Sequence, residues 1–393
     1  MFDCLVVGAG ISGLYAAREL SKKHPTWSIA LAERYKGLGG RTYSYSHGGI
    51  MWEMGAGRIH KSHTYILRLL EEYGLTWIPI GESICYKESG ATPAVDNDFE
   101  SLSKIYIQSL EKLSAETLQN STIEKLMVSL YGKNTTDSIL SKFPYRGEVA
   151  TLRADLALKS FFGGEMSSQK GYGVIKEGFS ELIARMRVEI EKLGCVILPH
   201  HKLLSFHGPN CIFLTDSKEI TLETNRLVLA LHNDAVAKLP PFRGWSVLKH
   251  LKTQPLLRIY GIFKKPWFAS IKRTVTPGPL RYIIPVGKAI MLSYTDADDT
   301  KAYSGPDAQK KVMKDIRELF PEISIPDPTF FKAHYWDTGA TYWLPGSYSP
   351  EALSLKAIRP FKKVWLCGES WSMRQAWVEG ALEHTILCLK EIE

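Results

Sequence analysis

Cys4-Leu5-Val6-Val7-Gly8-Ala9-Gly10-Ile11-Ser12-Gly13 is the stretch whose reading decides the fold. With Phe2 before it, the run Cys4 to Val7 is apolar throughout, which suits a strand buried on both faces of a parallel sheet. Leu14, Ala17, Leu20 and Lys23 then follow at helical spacing, so the glycines fall where a strand turns into a helix. That context gives weight to a GxGxxG pattern that alone arises by chance. Gly8 permits a tight turn, Gly10 lets the backbone approach a pyrophosphate, and Gly13 lets the helix lie against the strand. The helix opening at Ile11 and Ser12 offers its free N–H groups and positive end to phosphates.

A second apolar strand, residues 28–32, leads to Glu33, 20 residues after Gly13 and near the offset at which an acid holds a ribose hydroxyl. Strand, glycines, helix, strand and acid together predict a dinucleotide-binding unit. Arg34 and then Gly39-Gly40-Arg41-Thr42 follow at once.

The rest of the 393-residue chain is long enough for two domains, or for one with a large insertion. Hydrophobic content of 45% with 23% charged residues is that of a soluble globular protein. A formal charge of +8 favours anionic partners without naming one, and the basic residues form no long run. The six cysteines are widely separated without a CxxC pair, which fits a reducing compartment. The chain enters a core strand directly, and no apolar stretch approaches ~20 residues, so neither a signal peptide nor a spanning helix is expected. The expected location is therefore intracellular and cytoplasmic.

Several function classes find no support. His60 and His63, and the adjacent His200 and His201, lack a third ligand at motif spacing and are expected to be surface or capping residues, so no metal is expected. No GxSxG nucleophile motif, no nucleic-acid module and no internal repeat is present.

The GGR turn, with the motifs after it, resembles the flavin-containing amine oxidase family of monoamine, polyamine and L-amino acid oxidases. The resemblance covers about residues 1–75, 171–268 and 364–383. It implies FAD as cofactor, with Arg41 supporting the phosphates or the flavin. The turn Gly55-Ala56-Gly57-Arg58 is similar to the one that family members place against the flavin ring. Its arginine matches the residue that grips substrate carboxylate in L-amino acid oxidases, an assignment a bidentate guanidinium suits. An ion pair with Glu53 and a contact to the cofactor are the alternatives for Arg58. The segment around Leu203 resembles the one that contacts adenine.

Residues 257–267, Leu-Arg-Ile-Tyr-Gly-Ile-Phe-Lys-Lys-Pro-Trp, resemble the strand on which relatives carry a lysine that holds a water beside flavin N5. Counting back from Pro266 places Arg258 there. Arginine keeps the charge but cannot serve as a base, which puts fast reaction with oxygen in question. Residues 339–346 resemble the segment where some relatives join a cysteine to FAD. No cysteine occurs between Cys211 and Cys367, so the FAD is expected to be non-covalent. Tyr342 or Trp343 is expected to face the flavin. Val364 to Glu369 resembles the C-terminal flavin segment, with Gly368 and Glu369 at the pyrophosphate and ribityl. The resemblance further implies that Val378 heads a helix whose amides stabilise negative charge on reduced flavin, and that Trp377 falls on the aromatic cage position.

The expected fold is α/β: a doubly wound, Rossmann-type FAD-binding domain made of residues 1–75, 171–245 and 360–393. A second, α+β substrate domain of mixed sheet and helices takes residues 76–170 and 246–359. Within 76–170 the helical patterns are 100–119 and 123–130, with a polar loop at 133–138 and helices that shape a pocket wall. The expected activity is hydride transfer from the CH–NH carbon of an amine or L-amino acid to flavin N5, with O2 as acceptor and H2O2 as product. Arg258, Trp377, Arg58 and Tyr342 or Trp343 are its expected catalytic set. The expected partners are a small amine or amino acid and O2, with a homodimer left open. A flavin-bound scaffold protein and a flavin desaturase or isomerase are the alternative readings.

Overall fold

The strand Cys4–Val7 is the middle of a five-stranded parallel sheet in a computed structural model that describes residues 1–90, 92–164 and 170–392. Ile29–Ala32 and Val196–Leu198 lie to one side of it, Leu227–Leu229 and Val364–Leu366 to the other. Strands from three distant parts of the chain thus share one sheet, each pair parallel. Every residue of Cys4–Val7 and Ile29–Ala32 is buried, which is why both read as unbroken apolar runs.

Alternate residues serve different layers. Cys4, Val6, Ile29, Leu31 and Val228 pack with the helices Ile11–Lys23, Thr64–Glu72, Phe179–Lys192 and Val378–Lys390. Leu5, Val7, Ala30, Ala32, Leu227 and Leu229 join Leu203, Phe206, Cys211 and Phe213, which belong to a three-stranded antiparallel sheet of Lys202–His207, Asn210–Leu214 and Glu219–Glu223. Three of the helices are also tied by Arg18, whose guanidinium reaches Glu72 on one neighbour at 2.5 Å and Glu189 on another at 2.8 Å.

A seven-stranded mixed sheet forms the second layer system, in the order Phe330–Trp343, Leu251–Ile262, Ala289–Asp296, Tyr282–Val286, Arg273–Val275, Ile84–Tyr86, Val95–Asp96. The long pair Leu251–Ile262 and Phe330–Trp343 runs antiparallel from Leu251 opposite Trp343 to Ile262 opposite Phe330. Among the described residues, the Arg273–Val275 and Ile84–Tyr86 pairing is the parallel strand pair of this sheet. It stitches part of the 76–170 region into the sheet.

The expected polar loop at 133–138 is instead the start of a helix, Lys133–Leu140. Gly132, at φ +77°, ends the preceding helix Ile123–Tyr131 and starts the next. Thr136 Oγ1 then donates to Gly132 O at 2.9 Å, Lys133 pairs with Asp137 at 2.5 Å, and Ile139 and Leu140 are buried. Polar composition hides a helix whose apolar face is only its last turn. The pattern over 100–119 is broken into Phe99–Leu102, a π turn Ser103–Ile107, a 3₁₀ turn Gln108–Lys112 and Ala115–Gln119. Ser114 restarts the last of these by accepting the Thr117 N–H at 3.1 Å.

Candidate active site

Between the parallel sheet and the seven-stranded sheet lies a cavity of about 750 Å³, lined by residues from both. It begins where Cys4–Val7 ends. Gly8 turns at φ +97°, and a Cβ on Gly13 would stand 1.8 Å from the Gly8 carbonyl oxygen, so only glycine lets the helix seat this close to the strand. Gly39 donates its N–H to Ala9 O at 2.8 Å, bringing the GGR turn beside Gly10. Gly13 itself packs behind the lining, whereas Gly8, Gly10, Ile11, Ser12, Glu33, Arg34, Gly39, Gly40 and Arg41 all line the cavity.

Glu33 follows its buried strand into the lining, where its carboxylate accepts the Ala9 N–H at 2.9 Å and the Tyr35 N–H at 3.0 Å. Arg34 lies over the Tyr35 ring at 4.5 Å. Leu203 and His201 line the same end. Arg41 donates to Gly339 O at 3.0 Å and pairs with Glu369 at 3.0 Å. Glu369 also accepts the N–H groups of Thr341 and Ala376 at 2.9 Å each, so one carboxylate braces three separate segments. His232, half-buried and faced by Arg41 and Arg34, has its pKa pushed down to about 3, first by desolvation and then by those cations.

The arrangement fits a bound dinucleotide on physical grounds. Two helix starts open at the cavity, Ile11–Lys23 behind Gly10 and Val378–Lys390 behind Trp377, and neither has a side chain capping it. Uncapped N-termini leave backbone N–H groups and a positive dipole end for an anion. Gly368 and Val378 line the wall between them.

Arg58, Gly55, Ala56, Gly57, Arg258, Trp377 and Tyr342 line the other end with Tyr145, Glu148, Gln254, Tyr294, Asp296 and Trp336. Arg58 sits among aromatic rings, 5.0 Å from Tyr145, 5.3 Å from Tyr172 and 6.0 Å from Trp377. Tyr172 and Trp377 stack at 5.8 Å. No ion pair joins Arg58 to Glu53 among the described residues, because the Glu53 carboxylate is taken by the Phe179 N–H at 3.0 Å and the Ser44 hydroxyl at 2.9 Å. Burial pushes the Glu53 carboxyl upward, with those two donors opposing.

Arg258 is buried with its guanidinium 4.8 Å from the Tyr294 ring, and its Nη1 donates to Glu53 O at 3.4 Å. A Cβ on Gly57 would lie 3.0 Å from that nitrogen, so the glycine makes room for the arginine. Three buried polar atoms in this lining have no hydrogen-bond partner among the described residues: Arg258 Nε, Tyr145 Oη and Glu148 Oε2. Such atoms are uncommon in interiors and call for a partner that the surrounding side chains do not supply.

Glu148 lies on the short helix Gly147–Ala150, whose start is held by Asp296: Oδ1 accepts the Arg146 N–H at 2.7 Å and Oδ2 the Gly147 N–H at 2.8 Å. Burial raises the carboxyl pKa of both acids, and Asp296 raises Glu148 further, while Arg58 and a polar contact from Tyr342 pull Glu148 down.

Trp343 does not share the lining. Successive strand residues face opposite ways, and with Tyr342 turned into the cavity Trp343 goes into the core, its Nε1 donating to Ser372 O at 3.0 Å. His63 takes the N-cap position of Thr64–Glu72, as one of its two expected settings, but it is buried and not at the surface, its ring 5.2 Å from Trp377. Among the described residues no three His, Cys, Asp or Glu are grouped as metal ligands, and no helix is long and apolar enough to cross a membrane.

Sequence reasoning does not reach Tyr145, Glu148, Tyr294 and Asp296. Glu148 and Asp296 are 148 residues apart and share no motif. The one available hint is an acid, Asp296, two residues after the strand pattern at 290–294.

A sequence profile described as flavin containing amine oxidoreductase matches residues 11–387. The chain is 23% identical to the flavin-dependent L-tryptophan oxidase of Lentzea aerocolonigenes, over 99% of this chain and 97% of that one. It is 22% identical to polyamine oxidase 7 of Oryza sativa subsp. japonica, over 96% and 92%. A putrescine oxidase solved with putrescine bound superposes with a TM-score of 0.76 over 100% of this chain and 98% of its own, at 15% identity.

Proposed function

The chain belongs to the flavin-containing amine oxidoreductase family, and from that premise we propose that it oxidises the CH–NH bond of an amine or L-amino acid, with O2 as terminal acceptor and H2O2 as product. It is an FAD-dependent oxidoreductase, and with no cysteine between Cys211 and Cys367 its FAD is proposed to be non-covalent. FAD supplies the two-electron acceptor that takes the hydride from the carbon bearing nitrogen.

The observation that carries the reading is the composition of the cavity's second end. Arg58, Arg258, Glu148 and a wall of Trp377, Tyr145, Tyr294 and Tyr342 converge there, with three buried polar atoms still unpartnered. Aromatic walls orient an amine and exclude water, which is the protein's share of a reaction whose electron transfer belongs to the cofactor. Arg58 orients a substrate carboxylate where one is present. Gly8, Gly10, Glu33, Gly39, Gly40 and Arg41 hold the dinucleotide, with Ile11 and Ser12 at the first helix start. Leu203 borders its adenine, and Gly368, Glu369 and Val378 border the flavin side.

The test is anaerobic: the purified yellow holoprotein is mixed with a panel of amines and L-amino acids and its visible absorbance is followed. Bleaching by at least one member, reversed by air with H2O2 release, is the expected result. A panel that leaves the colour unchanged at every pH overturns the reading.

A further inference from the structure

Glu148 is the one carboxyl at the substrate end of the cavity with a buried oxygen that has no hydrogen-bond partner among the described residues. Asp296, its acidic neighbour, has both oxygens occupied by the amides of Arg146 and Gly147, so it is fixed as a helix cap. Glu148 is only 7% exposed, lines the cavity, and has no hydrogen-bond partner for Oε2 among the described residues. An ionised carboxylate is a poor resident in such a place unless something cationic arrives. The other open oxygen nearby, Tyr145 Oη, belongs to a phenol that burial pushes well above its ordinary range, so it does not serve as a base near neutral pH.

Amines and amino acids reach a protein as ammonium ions, whereas hydride can leave only the carbon beside a neutral nitrogen, whose lone pair stabilises the cation that forms. Resting on the amine-oxidation reading, we propose that the free oxygen of Glu148 accepts the proton of the substrate's ammonium group, so that the amine is neutral when its CH–NH bond is oxidised. The step is a proton transfer alone. One N–H bond of R–NH3⁺ breaks with its electron pair remaining on nitrogen, an O–H bond forms on the Glu148 carboxylate, and the products are R–NH2 and the neutral acid.

The surroundings suit a proton acceptor. Asp296 and Tyr294 face Glu148 from the strand Ala289–Asp296, Arg58 from the turn before Ile59–His60, and Tyr342 from Phe330–Trp343. Burial and the neighbouring Asp296 raise the basicity of Glu148, and Arg58 with Tyr342 limits the rise. The result is a base stronger than an ordinary carboxylate and therefore better matched to an ammonium. Where Arg58 holds a substrate carboxylate, the adjacent acid meets the amino group of the same α-carbon.

The test is the pH profile of flavin reduction, as kcat/KM or its single-turnover equivalent, in the holoenzyme and in Glu148→Gln. The parent is expected to give a bell, its acid limb from Glu148 and its alkaline limb from the substrate ammonium. Glu148→Gln is expected to lose roughly 100-fold at neutral pH, to lose the bell, and to approach the parent once the pH passes the amine's own pKa. Glu148→Asp should keep the bell. A loss of the same factor at every pH, or no loss, overturns the proposal. If Glu148→Gln fails to retain FAD, Tyr342→Phe decides: removing the hydroxyl should move the parent's acid limb upward, and an unmoved limb overturns the assignment. Failure here leaves bleaching of the parent intact, whereas failure of the functional reading abolishes bleaching altogether.

Discussion

Glu369 Oε2 stands 3.0 Å from Arg41 Nη1, joining the turn after the second strand to the last loop of the chain. The same carboxylate holds the amides of Thr341 and Ala376, and Gly368 and Trp377 are its neighbours in the cavity wall. Glu369→Gln keeps the shape but loses the charge, and hydrogen bonds to a charged group are worth about 1.5–3 kcal/mol. The flavin-to-protein absorbance ratio after gel filtration should fall, with FAD affinity weaker by roughly tenfold or more. Undiminished retention would show that the brace does not hold the cofactor segments together.

Tyr342 and Trp343 should separate cleanly on substitution. Trp343 is fully buried and donates to Ser372 O, so Trp343→Ala should cost about 3–5 kcal/mol of stability, seen as a lower melting temperature. Tyr342→Phe leaves the core intact, because the ring already packs on Gly147 and only the hydroxyl reaches Glu148. Its effect should appear in kinetics and not in melting. A reversed pattern contradicts the facing of this strand.

The pair also marks where sequence reasoning reaches its limit. Local patterns make the dinucleotide end legible: the buried strand, the glycines and Glu33 lie within 33 residues, and each reads through its own neighbours. Tyr342 and Trp343 cannot be ranked from sequence because strand alternation tells that they differ in face, not which face is the cavity. Glu148 and Asp296 are illegible for a stronger reason. Their proximity is created by the seven-stranded sheet and the short helix docked on its end, and no spacing in the chain encodes it. The helix Lys133–Leu140 escapes sequence reading because tertiary contact to Ile139 and Leu140, and not its own polar first turn, decides its conformation.

Arg58 predicts a substrate-class effect. A guanidinium held among Tyr145, Tyr172 and Trp377, without a carboxylate paired to it among the described residues, is proposed to bind one from the substrate. Arg58→Ala should raise KM for L-amino acids by roughly 100-fold more than for simple amines, the loss expected when about 3 kcal/mol of charge-assisted bonding is removed. Equal effects on the two classes would remove the carboxylate assignment.

Stability should also depend on Glu148 in a defined direction. Burial and Asp296 raise its folded pKa above the ordinary carboxyl value. The folded state therefore binds the proton more tightly than the unfolded chain does, and the stability this gives is full at acid pH and is lost as pH rises through the elevated value. Glu148→Gln cannot ionise. Its melting temperature should match the parent near pH 4 and exceed it by a growing margin towards pH 8, measured on FAD-stripped protein so that cofactor affinity does not intrude. A constant difference across that range is incompatible with a raised carboxyl.

Under the proposed oxidase reading, Arg258 is expected to bear on the step after substrate oxidation, the return of electrons to oxygen. Its guanidinium fills the space beside Gly57, leans on Tyr294 at 4.8 Å and reaches Glu53 O. Lysine at this position keeps the charge on a smaller, more strongly hydrated head, giving up the stacking and leaving volume for a water. Arg258→Lys should therefore speed reoxidation of the reduced protein by O2 by roughly tenfold, about 1.4 kcal/mol in barrier, with little change in anaerobic reduction. Stopped-flow mixing of the reduced protein with oxygenated buffer measures it directly. An unchanged oxygen rate, with reduction also unchanged, would mean that the size of the cation at 258 does not govern access of oxygen to the cofactor.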